Sequence, residues 1–388
     1  MITPPATVGV LGGGQLGRYF VLAAHTMGYR TVVLEPDPSA PAGKVADVHL
    51  VADYDDPGAL DQLGTQCAVV TTEFENPPAS ALARLAAHTT VHPSPGAIAI
   101  AQDRRAEKEF FRSIGVPTAP FVAIETEADI AAATAATYPA ILKTSRLGYD
   151  GKGQVHVPYH GDLATAWEHL DRAACVLERR LPLDREVSVL VARNSEGQSV
   201  LYPVAENVHV NGILDLTVVP ATPTPGANEL ATAIATELDY VGVLAVEMFV
   251  VGGHVLVNEI APRPHNSGHW TLDASATSQF EQQVRAVCGL GLGSTHLTAP
   301  AVAMVNLLGE LWDEEEPRWE DVLVEPTVKL HLYGKAQARP GRKMGHLTVT
   351  ADSPAQAAAS ARHLRDRLRR DTGRLPIAPT GTPGITTI

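Results

Sequence analysis

The chain has 388 residues, of which 45% are hydrophobic and 19% charged, and its formal net charge at pH 7 is −13. This length fits two or three domains, since a domain typically holds about 150 residues. The acidic charge argues against non-specific binding to nucleic acid or to an anionic membrane, so any phosphate group must bind at local clusters of lysine, arginine and backbone N–H groups.

The three cysteines, Cys67, Cys175 and Cys288, are widely spaced and form no CxxC pair. This pattern favours buried thiols in a reducing cytosol. The N-terminus lacks a basic segment followed by an apolar one, and no apolar run reaches the ~18 residues of a membrane-spanning helix. We therefore expect a cytoplasmic protein with no membrane partner.

The first hundred residues alternate short apolar runs with helical stretches. Strands are predicted at 8–11, 31–34, 68–72 and Val91, with a helix over 19–27. Strands that alternate with helices favour parallel βαβ units. Residues 1–100 are therefore predicted to form a doubly wound α/β domain with a parallel sheet.

The pattern changes beyond a predicted helix at 97–114 and becomes α+β. Residues 101–185 are predicted to form a small antiparallel lobe with a glycine-rich lid, and residues 186–388 a larger lobe with a C-terminal subdomain. The predicted strands lie near 141–143, 155–157, 175–179, 186–192, 200–207, 214–219, 243–251, 255–260 and at both ends of 328–349. A helix is predicted at 353–371, and the aperiodic tail after Leu375 is predicted to be extended or mobile.

A glycine-rich turn follows the first predicted strand. Gly12, Gly14 and Gly17 satisfy GxGxxG, and Glu35 closes the next strand, where a Rossmann protein holds a ribose. Alone, this motif favours an NAD-dependent oxidoreductase. Tight strand-to-helix turns also need glycine for structural reasons, so the motif is equally compatible with another ligand edge or with no ligand.

A second glycine-rich segment has a stronger link to chemistry. Lys143 ends an apolar strand and is followed by a loop from Gly148 to Gln154. The lysine can place its ammonium against phosphates while the loop closes over a triphosphate. Glu178 and Glu186, at the ends of neighbouring strands, suit adenine and ribose hydroxyls. A flexible hairpin and two surface charges are the ordinary alternative.

Two acids, Glu247 and Glu259, lie inside otherwise apolar strands, where unpaired carboxylates are costly to bury. A shared Mg²⁺ would remove that cost, because it binds carboxylate and phosphate oxygens. Since side chains alternate along a strand, both acids share a face only if they pair across the hairpin. We predict a three-residue turn at 252–254 that gives this pairing, with one glycine in the left-handed conformation and Asn258 as a further oxygen ligand. Arginine partners are the alternative.

Two polar segments complete the candidate site. Directly after the second acid, the run 261–269 is expected to present Arg263, His265, Asn266 and Ser267 to a terminal phosphate, with Arg263 suited to an oxyanion. The segment 335–343 concentrates four cations in this acidic chain. We interpret it as a phosphate cradle, with an exposed hairpin of solvated charges as the alternative.

Together these motifs resemble the N5-carboxyaminoimidazole ribonucleotide synthetase family of the ATP-grasp superfamily. The resemblance runs in order from residue 8 to about 350, and GYDGKGQ followed by PRPHNSGH is its specific part. The motifs that carry it are GGGQLG at 12–17, TEFENPP at 72–78, QDRRAEK at 102–108, LKTSRLGYDGKGQ at 142–154, DREVSV at 184–189, ENVHVNGIL at 206–214, NEIAPRPHNSGH at 258–269, and YGK with RPGRKMGH at 333–346.

The resemblance implies an ATP-grasp fold behind an N-terminal pre-ATP-grasp domain. It also implies carboxylation of the amine of 5-aminoimidazole ribonucleotide in de novo purine biosynthesis. The reaction would use ATP, bicarbonate and Mg²⁺, with Mn²⁺ as an alternative metal, and would pass through carboxyphosphate. The expected partners are these small molecules and a second copy in a homodimer.

The resemblance also assigns residues. Those expected to bind ATP are Arg104, Lys143, Gly148, Tyr149, Asp150, Gly151, Lys152, Gly153, Gln154, Glu178, Arg179, Arg180, Leu181, Glu186, His209 and Glu259, to which the metal argument adds Asn258. Those expected to bind the metal are Glu247 and Glu259. Those expected to face the ribonucleotide and bicarbonate are Gln15, Leu16, Glu75, Tyr149, Arg263, His265, Asn266, Ser267, Lys335 and Arg342.

Catalysis is expected from Asp150, Arg263, His265 and Asn266, and either Asp150 or His265 would accept the amine proton. Arg179 and Arg180 stand where an acidic or apolar stretch is expected, which puts their side-chain roles in doubt. Three other functions remain open: a formate-dependent glycinamide ribonucleotide transformylase, an NAD-dependent oxidoreductase supported only by residues 12–35, and a nucleotide-binding regulator without turnover. The intact acids at 247 and 259 argue against the regulator.

Overall fold

A computed structural model describes residues 1–134, 137–148, 153–312 and 315–368. Three β-sheets organise this part of the chain: a five-stranded sheet, a four-stranded sheet and a nine-stranded sheet. They follow one another in the sequence, which fits the predicted change from α/β to α+β. None of the helices in the described part of the chain is long and apolar enough to cross a membrane.

The N-terminal sheet is parallel throughout, as predicted, with strand order β3-β2-β1-β4-β5. Its strands are β1 (Thr7–Leu11), β2 (Arg30–Leu34), β3 (Val48–Leu50), β4 (Val69–Thr72) and β5 (Thr90–Val91). Its helices are α1 (Gln15–Thr26), α2 (Pro57–Gln66) and α3 (Ala79–Ala86). The sequence did not predict β3, because this edge strand has only three residues and none of them is buried.

The helix predicted at 97–114 is wrong in one respect, because the chain forms two helices there. They are α4 (Pro95–Ala101) and α5 (Arg104–Ser113). Between them Asp103 adopts an extended conformation and its carboxylate accepts hydrogen bonds from the backbone N–H groups of Arg105 and Ala106. An aspartate in this position caps a new helix, and the break turns α5 toward the second sheet.

The second sheet is antiparallel, with strand order β6-β9-β7-β8. Its strands are β6 (Phe121–Ile124), β7 (Ala140–Thr144), β8 (Gln154–Val157) and β9 (Cys175–Arg179). The helices α6 (Glu127–Ala132) and α7 (Leu163–His169) accompany it. Leu142, Leu177 and Trp167 are buried in the core between this sheet and its helices, so the lobe has an apolar core of its own.

The third sheet runs in the order β15-β14-β10-β12-β13-β16-β18-β17, with β11 paired to β10. Its strands are β10 (Arg185–Arg193), β11 (Ser199–Leu201), β12 (Ala205–Val210), β13 (Ile213–Val219), β14 (Gly242–Val251), β15 (His254–Ala261), β16 (Ala301–Leu308), β17 (Val328–Leu332) and β18 (Lys343–Ala351). Its helices are α8 (Ala227–Glu237), α9 (Thr271–Ala274), α10 (Gln279–Val287), α11 (Glu320–Leu323) and α12 (Pro354–Leu368).

One feature of this sheet differs from the sequence-based description. The strand β16 was not predicted, although its almost wholly buried run AVAMVNLL is typical of a central strand. The C-terminal helix is described to Leu368, and both the rest of the helix predicted to 371 and the predicted mobile tail after Leu375 lie outside the described residues.

The hairpin of β14 and β15 corrects the predicted three-residue turn. Val251 pairs with His254, so the turn contains only Gly252 and Gly253, with φ of 56° and 79°. A two-residue turn that matches the strand twist needs positive φ at both positions, which glycine adopts without strain. The three-residue turn at 252–254 is therefore wrong.

The paired acids nevertheless face each other, for a different reason. The pairing slips by one residue after Met248, where Asn258 is an extra residue in β15 and forms a bulge. Beyond the bulge Glu247 lies opposite Glu259. The bulge therefore produces the pairing for which the longer turn was invoked.

The turn gives a stability test. Replacing Gly253 by alanine puts a side chain at positive φ, so the variant Gly253→Ala should lose about 1 kcal/mol of unfolding free energy. Urea denaturation measures this loss. Gly291→Ala is the control, because a Cβ there meets nothing within 4 Å and the residue has no positive φ. Equal stability of the two variants would contradict a left-handed Gly253.

Candidate active site

A cavity of about 800 Å³ opens where the three sheets meet. A volume of this size is typical of a pocket that encloses a nucleotide-sized ligand. Most of the predicted site residues line it: Gln15, Leu16, Glu75, Arg104, Lys143, Gly148, Gln154, Glu178, Arg179, Arg180, Leu181, Glu186, His209, Glu247, Asn258, Glu259, Arg263, His265, Asn266, Lys335 and Arg342.

The other predicted residues fall into two groups. Ser267 is buried behind His265, and Gly153 closes the β8 side of the loop, with its carbonyl accepting from the backbone N–H of Thr144 at 2.9 Å. Tyr149, Asp150, Gly151 and Lys152 lie outside the described residues. The expected roles of those four therefore stay predictions.

Two lysines share one buried carboxylate at the inner wall of the cavity. Nζ of Lys143 on β7 lies 3.2 Å from Oε2 of Glu178, and Nζ of Lys108 on α5 lies 3.4 Å from Oε1. Burial raises the pKa of Glu178, but the two ammonium groups outweigh it and hold the pKa at about 2. Burial lowers the pKa of Lys143, and Glu178 opposes this. The pair of lysines leaves a positive charge beyond what Glu178 neutralises, suited to phosphate.

The acids on the central hairpin have one partner each. Oε1 of Glu247 lies 3.0 Å from Nε2 of His265, and Oε2 of Glu259 lies 2.5 Å from Nη1 of Arg104. Burial raises the pKa of Glu247, yet the contact with His265, together with His209 and Lys343, lowers it to about 2. The alternative of an arginine partner thus holds for Glu259 and does not exclude a metal at the same carboxylate.

The donor set suits a hard cation. Between the two acids in sequence, the side-chain oxygen of Asn258 is buried and has no hydrogen-bond partner among the described residues. A buried amide oxygen without a donor is costly. Two facing carboxylates and an unpaired amide oxygen are the all-oxygen ligands that Mg²⁺ prefers, so the residues present fit this metal.

Sequence reasoning missed one buried acid at the cavity. Oε1 of Glu107 on α5 accepts from the backbone N–H of Ile260 at 2.7 Å. Burial and the nearby Glu259 carboxylate raise the pKa of Glu107 to about 8. The residue stands in the motif QDRRAEK, but its burial depends on how α5 packs against β15, which no local pattern reveals.

The glycine-rich turn binds the chain's own carboxylates. The N–H of Gly13 donates to Glu35 at 2.8 Å, and those of Gly14 and Gly17 donate to Glu73 at 2.8 and 3.1 Å. A Cβ on Gly14 would lie 2.6 Å from Oε1 of Glu73. In a Rossmann protein these groups face a pyrophosphate, so the arrangement argues against the dinucleotide reading. Gln15 and Leu16 beside the turn still line the cavity.

The remaining predicted residues form the outer parts of the wall. Arg263 pairs with Glu75, which follows β4 and so links the first and third sheets. Nδ1 of His209 lies 3.0 Å from Oε2 of Glu186. Burial lowers the pKa of His209, but Glu186 and Glu247 raise it overall.

The basic segment 335–343 folds against the cavity mouth. Nζ of Lys335 donates to the carbonyl of Lys343 at 2.7 Å, and Nη1 of Arg342 donates to that of Gln337 at 2.8 Å. Arg339 and Lys343 also line the cavity, although the family resemblance assigned them no role. The cradle interpretation is thus compatible with the geometry.

Two predicted residues use their main chain inside the protein. The N–H groups of Arg179 and Arg180 donate to the carbonyls of Pro120 and Pro139 at 2.9 and 2.8 Å. Asn266 forms a reciprocal amide pair with Asn306, at 3.0 and 2.6 Å. The first contacts fix the backbone at 179–180 and the second pair occupies the Asn266 side chain, so both leave less hydrogen-bonding capacity for a ligand than the sequence implied.

Comparison with known families divides the chain into three matched segments. Residues 5–102 match the ribonucleotide synthetase preATP-grasp domain, and residues 109–280 match the ATP-grasp domain. Residues 302–360 match the phosphoribosylaminoimidazole carboxylase C-terminal domain. The matches confirm the predicted ATP-grasp fold behind a pre-ATP-grasp domain.

Individual relatives cover nearly the whole chain. The N5-carboxyaminoimidazole ribonucleotide synthase of Brucella melitensis is 45% identical over 355 residues, or 89% of this chain and 97% of its own. A crystal structure of an ADP complex of an N5-carboxyaminoimidazole ribonucleotide synthetase is 42% identical, with a TM-score of 0.88 over 95% of this chain and 99% of that one. An Aspergillus clavatus synthase in complex with ADP and 5-aminoimidazole ribonucleotide is 32% identical, with a TM-score of 0.84 over 94% of this chain and 98% of that one.

Glu178 gives a test of the buried charge cluster. In Glu178→Gln, two lysines lose their counter-charge, and breaking a buried ion pair costs about 3–5 kcal/mol of unfolding free energy. Because folding lowers the pKa of Glu178 from 4.5 to about 2, its stabilisation is complete above pH 4.5 and is lost as the pH falls toward 2. Urea denaturation at pH 7 and at pH 3.5 measures both effects.

The gap in stability between wild type and Glu178→Gln should therefore narrow from pH 7 to pH 3.5. Glu229→Gln on α8 is the control, since Glu229 is exposed. A gap that stays constant with pH would mean that the Glu178 carboxylate is not stabilised by the lysines.

Proposed function

The chain belongs to the family of N5-carboxyaminoimidazole ribonucleotide synthetases, and from this premise we propose how its residues carry out the reaction. It is an ATP-dependent ligase that carboxylates 5-aminoimidazole ribonucleotide in purine biosynthesis. One observation carries the assignment of residues: a single cavity collects paired acids, buried lysines and a basic rim from all three sheets.

ATP is proposed to lie along β9 and β10. Adenine would face the stretch 179–181, and Glu186 with His209 would take the ribose hydroxyls. The phosphates would face Lys143 and Arg104, with Lys108 behind them as a second buried cation. Gly148 and Gln154 border the cavity, and we propose that the glycine-rich loop between them covers the phosphates.

Mg²⁺ is proposed to bind Glu247, Glu259 and the unpaired oxygen of Asn258, with Mn²⁺ as an alternative. When bound, the metal supplies positive charge to the phosphate oxygens. The chain's own residues prepare this site, because the bulge at Asn258 sets the two carboxylates opposite each other.

The first chemical step activates bicarbonate. Its oxygen attacks the γ-phosphorus of ATP, the bond to ADP breaks, and carboxyphosphate forms. Charge neutralisation by positioned cations dominates such a phosphoryl transfer. We assign this task to Lys143 and Arg263, with His265 and Asn266 beside them on the same wall.

The second step joins carbon to nitrogen. The exocyclic amine of the ribonucleotide attacks the carboxyl carbon of carboxyphosphate, or CO₂ released from it in the closed site, phosphate leaves, and the amine proton passes to a base, for which the sequence offers Asp150 or His265. Exclusion of water by the loop is needed, since carboxyphosphate hydrolyses easily. Gln15, Leu16 and Glu75 are proposed to face the ribonucleotide, and Lys335 and Arg342, with Arg339 beside them, its phosphate.

The wider assignments are also proposals. We divide the chain into domains at 1–100, 101–185 and 186–388, and we propose a homodimer in the cytoplasm. All three cysteines are buried and free, and this supports a reducing compartment.

The function is tested by phosphate release from purified protein. Release should require ATP together with both aminoimidazole ribonucleotide and bicarbonate. Replacing these two by glycinamide ribonucleotide and formate should abolish it. Phosphate release with glycinamide ribonucleotide and formate, and none with aminoimidazole ribonucleotide and bicarbonate, would instead support the transformylase of the same superfamily.

The metal assignment has its own test. Glu247→Gln and Glu259→Gln should each lower kcat at least about 100-fold, because each removes a preorganised charge from the site. Mn²⁺ titration in the presence of ADP, followed by electron paramagnetic resonance, should show that each variant binds the metal more weakly than the wild type does. Glu229→Gln on the exposed face of α8 is the control. Unchanged Mn²⁺ affinity in both site variants would remove these acids as ligands.

A further inference from the structure

A buried row of hydroxyl and amide groups leads from the third sheet to His265. We propose that Ser188 and Asn207 are positioning residues that hold the His265 ring as the Nε2–H tautomer. In this form the ring donates a hydrogen bond into the cavity and does not accept the amine proton. The tautomer is argued from hydrogen bonds alone, and only the part of His265 in the reaction rests on the proposed function.

The row begins on β13 and crosses two strands. Oγ1 of Thr217 donates to Oδ1 of Asn207 at 2.9 Å, and Nδ2 of Asn207 donates to Oγ of Ser188 at 2.9 Å. Oγ of Ser188 lies 2.9 Å from Oγ of Ser267. Oγ of Ser267 in turn lies 2.9 Å from Nδ1 of His265. The first four residues are at most 6% exposed, so solvent does not compete for these bonds.

The direction of the row follows from groups that only donate. The backbone N–H of Ser267 can only donate, and it faces Nδ1 of His265 at 3.3 Å. The Asn207 amide also donates to Ser188, which frees the Ser188 hydroxyl hydrogen for Ser267 and the Ser267 hydrogen for Nδ1. A ring nitrogen that accepts two hydrogen bonds carries no hydrogen in a neutral imidazole, so the hydrogen lies on Nε2.

The backbone of His265 is fixed independently of its ring. Its N–H donates to Oε1 of Gln279 at 2.8 Å, and its carbonyl accepts from Nε2 of Gln279 at 2.8 Å. A Cβ on Gly268 would lie 2.5 Å from Oε1 of Gln279, so only glycine lets this clamp form. With the backbone held, rotation of the ring is the remaining freedom, and the two serines restrict it.

The tautomer decides what His265 does. Nε2 faces Oε1 of Glu247 at 3.0 Å and lines the cavity, and there it presents a hydrogen. The lone pair that a general base needs lies on Nδ1, which faces the buried serines. Of the two acceptors that the sequence offered for the amine proton, His265 is therefore excluded and Asp150 remains.

The first test reads the tautomer in the unmodified, full-length protein. Histidine labelled with ¹⁵N and long-range ¹H–¹⁵N correlation spectra distinguish a protonated from an unprotonated ring nitrogen. The His265 signals are those lost in His265→Gln. The expected result is an unprotonated Nδ1 and a protonated Nε2. The opposite pattern overturns the proposal, and neither result depends on catalytic activity.

The second test removes one member of the row. Ser188→Ala should lower kcat about 10- to 100-fold, the usual loss when a partner that orients a functional histidine is removed. The KM for ATP should change less than about twofold, because the hydrogen bonds of the Ser188 side chain go to Asn207 and Ser267, neither of which is assigned to ATP. The spectra of this variant should show a mixture of tautomers. A kcat within about twofold of wild type would contradict the positioning role.

Ser275→Ala is the matched control, because its hydroxyl is buried and has no hydrogen-bond partner among the described residues. It removes the same group and should leave kcat and the His265 spectrum unchanged. If Ser188→Ala fails to fold, the spectrum of the wild type alone decides. If the wild type releases no phosphate with both substrates, the proposed function fails while the tautomer result stands.

Discussion

The cavity depends on neutralising buried charge before any ligand arrives. Three cations on its wall have a carboxylate partner: Lys143 with Glu178, Arg104 with Glu259, and Arg263 with Glu75. An isolated charge buried in a protein costs several kcal/mol, whereas a paired one costs far less. A nucleotide and its metal can therefore bind by exchanging partners with side chains whose charges are already paired.

The glycine-rich turn follows the same constraint in the first sheet. Its N–H groups carry partial positive charge and need anions. Glu35 and Glu73, which follow the neighbouring strands β2 and β4, supply these anions. A motif typical of dinucleotide binding therefore forms a structural joint, in which the turn is hydrogen-bonded to the ends of both strands. The joint also fixes the start of the segment that carries Glu75, whose pairing with Arg263 links the first sheet to the third.

Beneath His265, the buried polar side chains satisfy one another through hydrogen bonds, and the direction of these bonds fixes which ring nitrogen carries the hydrogen. Ser188 lies on β10, next to the strand that carries Glu247, and Asn207 lies on β12, one strand further along; together they form an oriented row of hydrogen bonds on one face of the sheet. Because the row is buried, its direction is set by the protein and not by solvent. With the proposed tautomer, His265 donates a hydrogen bond toward Glu247 at this wall.

The amino-acid sequence determined the parallel first sheet, the strands that carry Glu247 and Glu259, and membership of the family, since apolar periodicity and contiguous motifs are local properties. It could not determine the two-residue turn with a bulge at Asn258, because both alternatives pair the same acids and differ only in backbone pairing. It also missed the break before α5, the burial of Glu107 and the capture of the glycine turn by Glu73. Each of these depends on a contact between residues distant in sequence, and such contacts exist only once the sheets have packed.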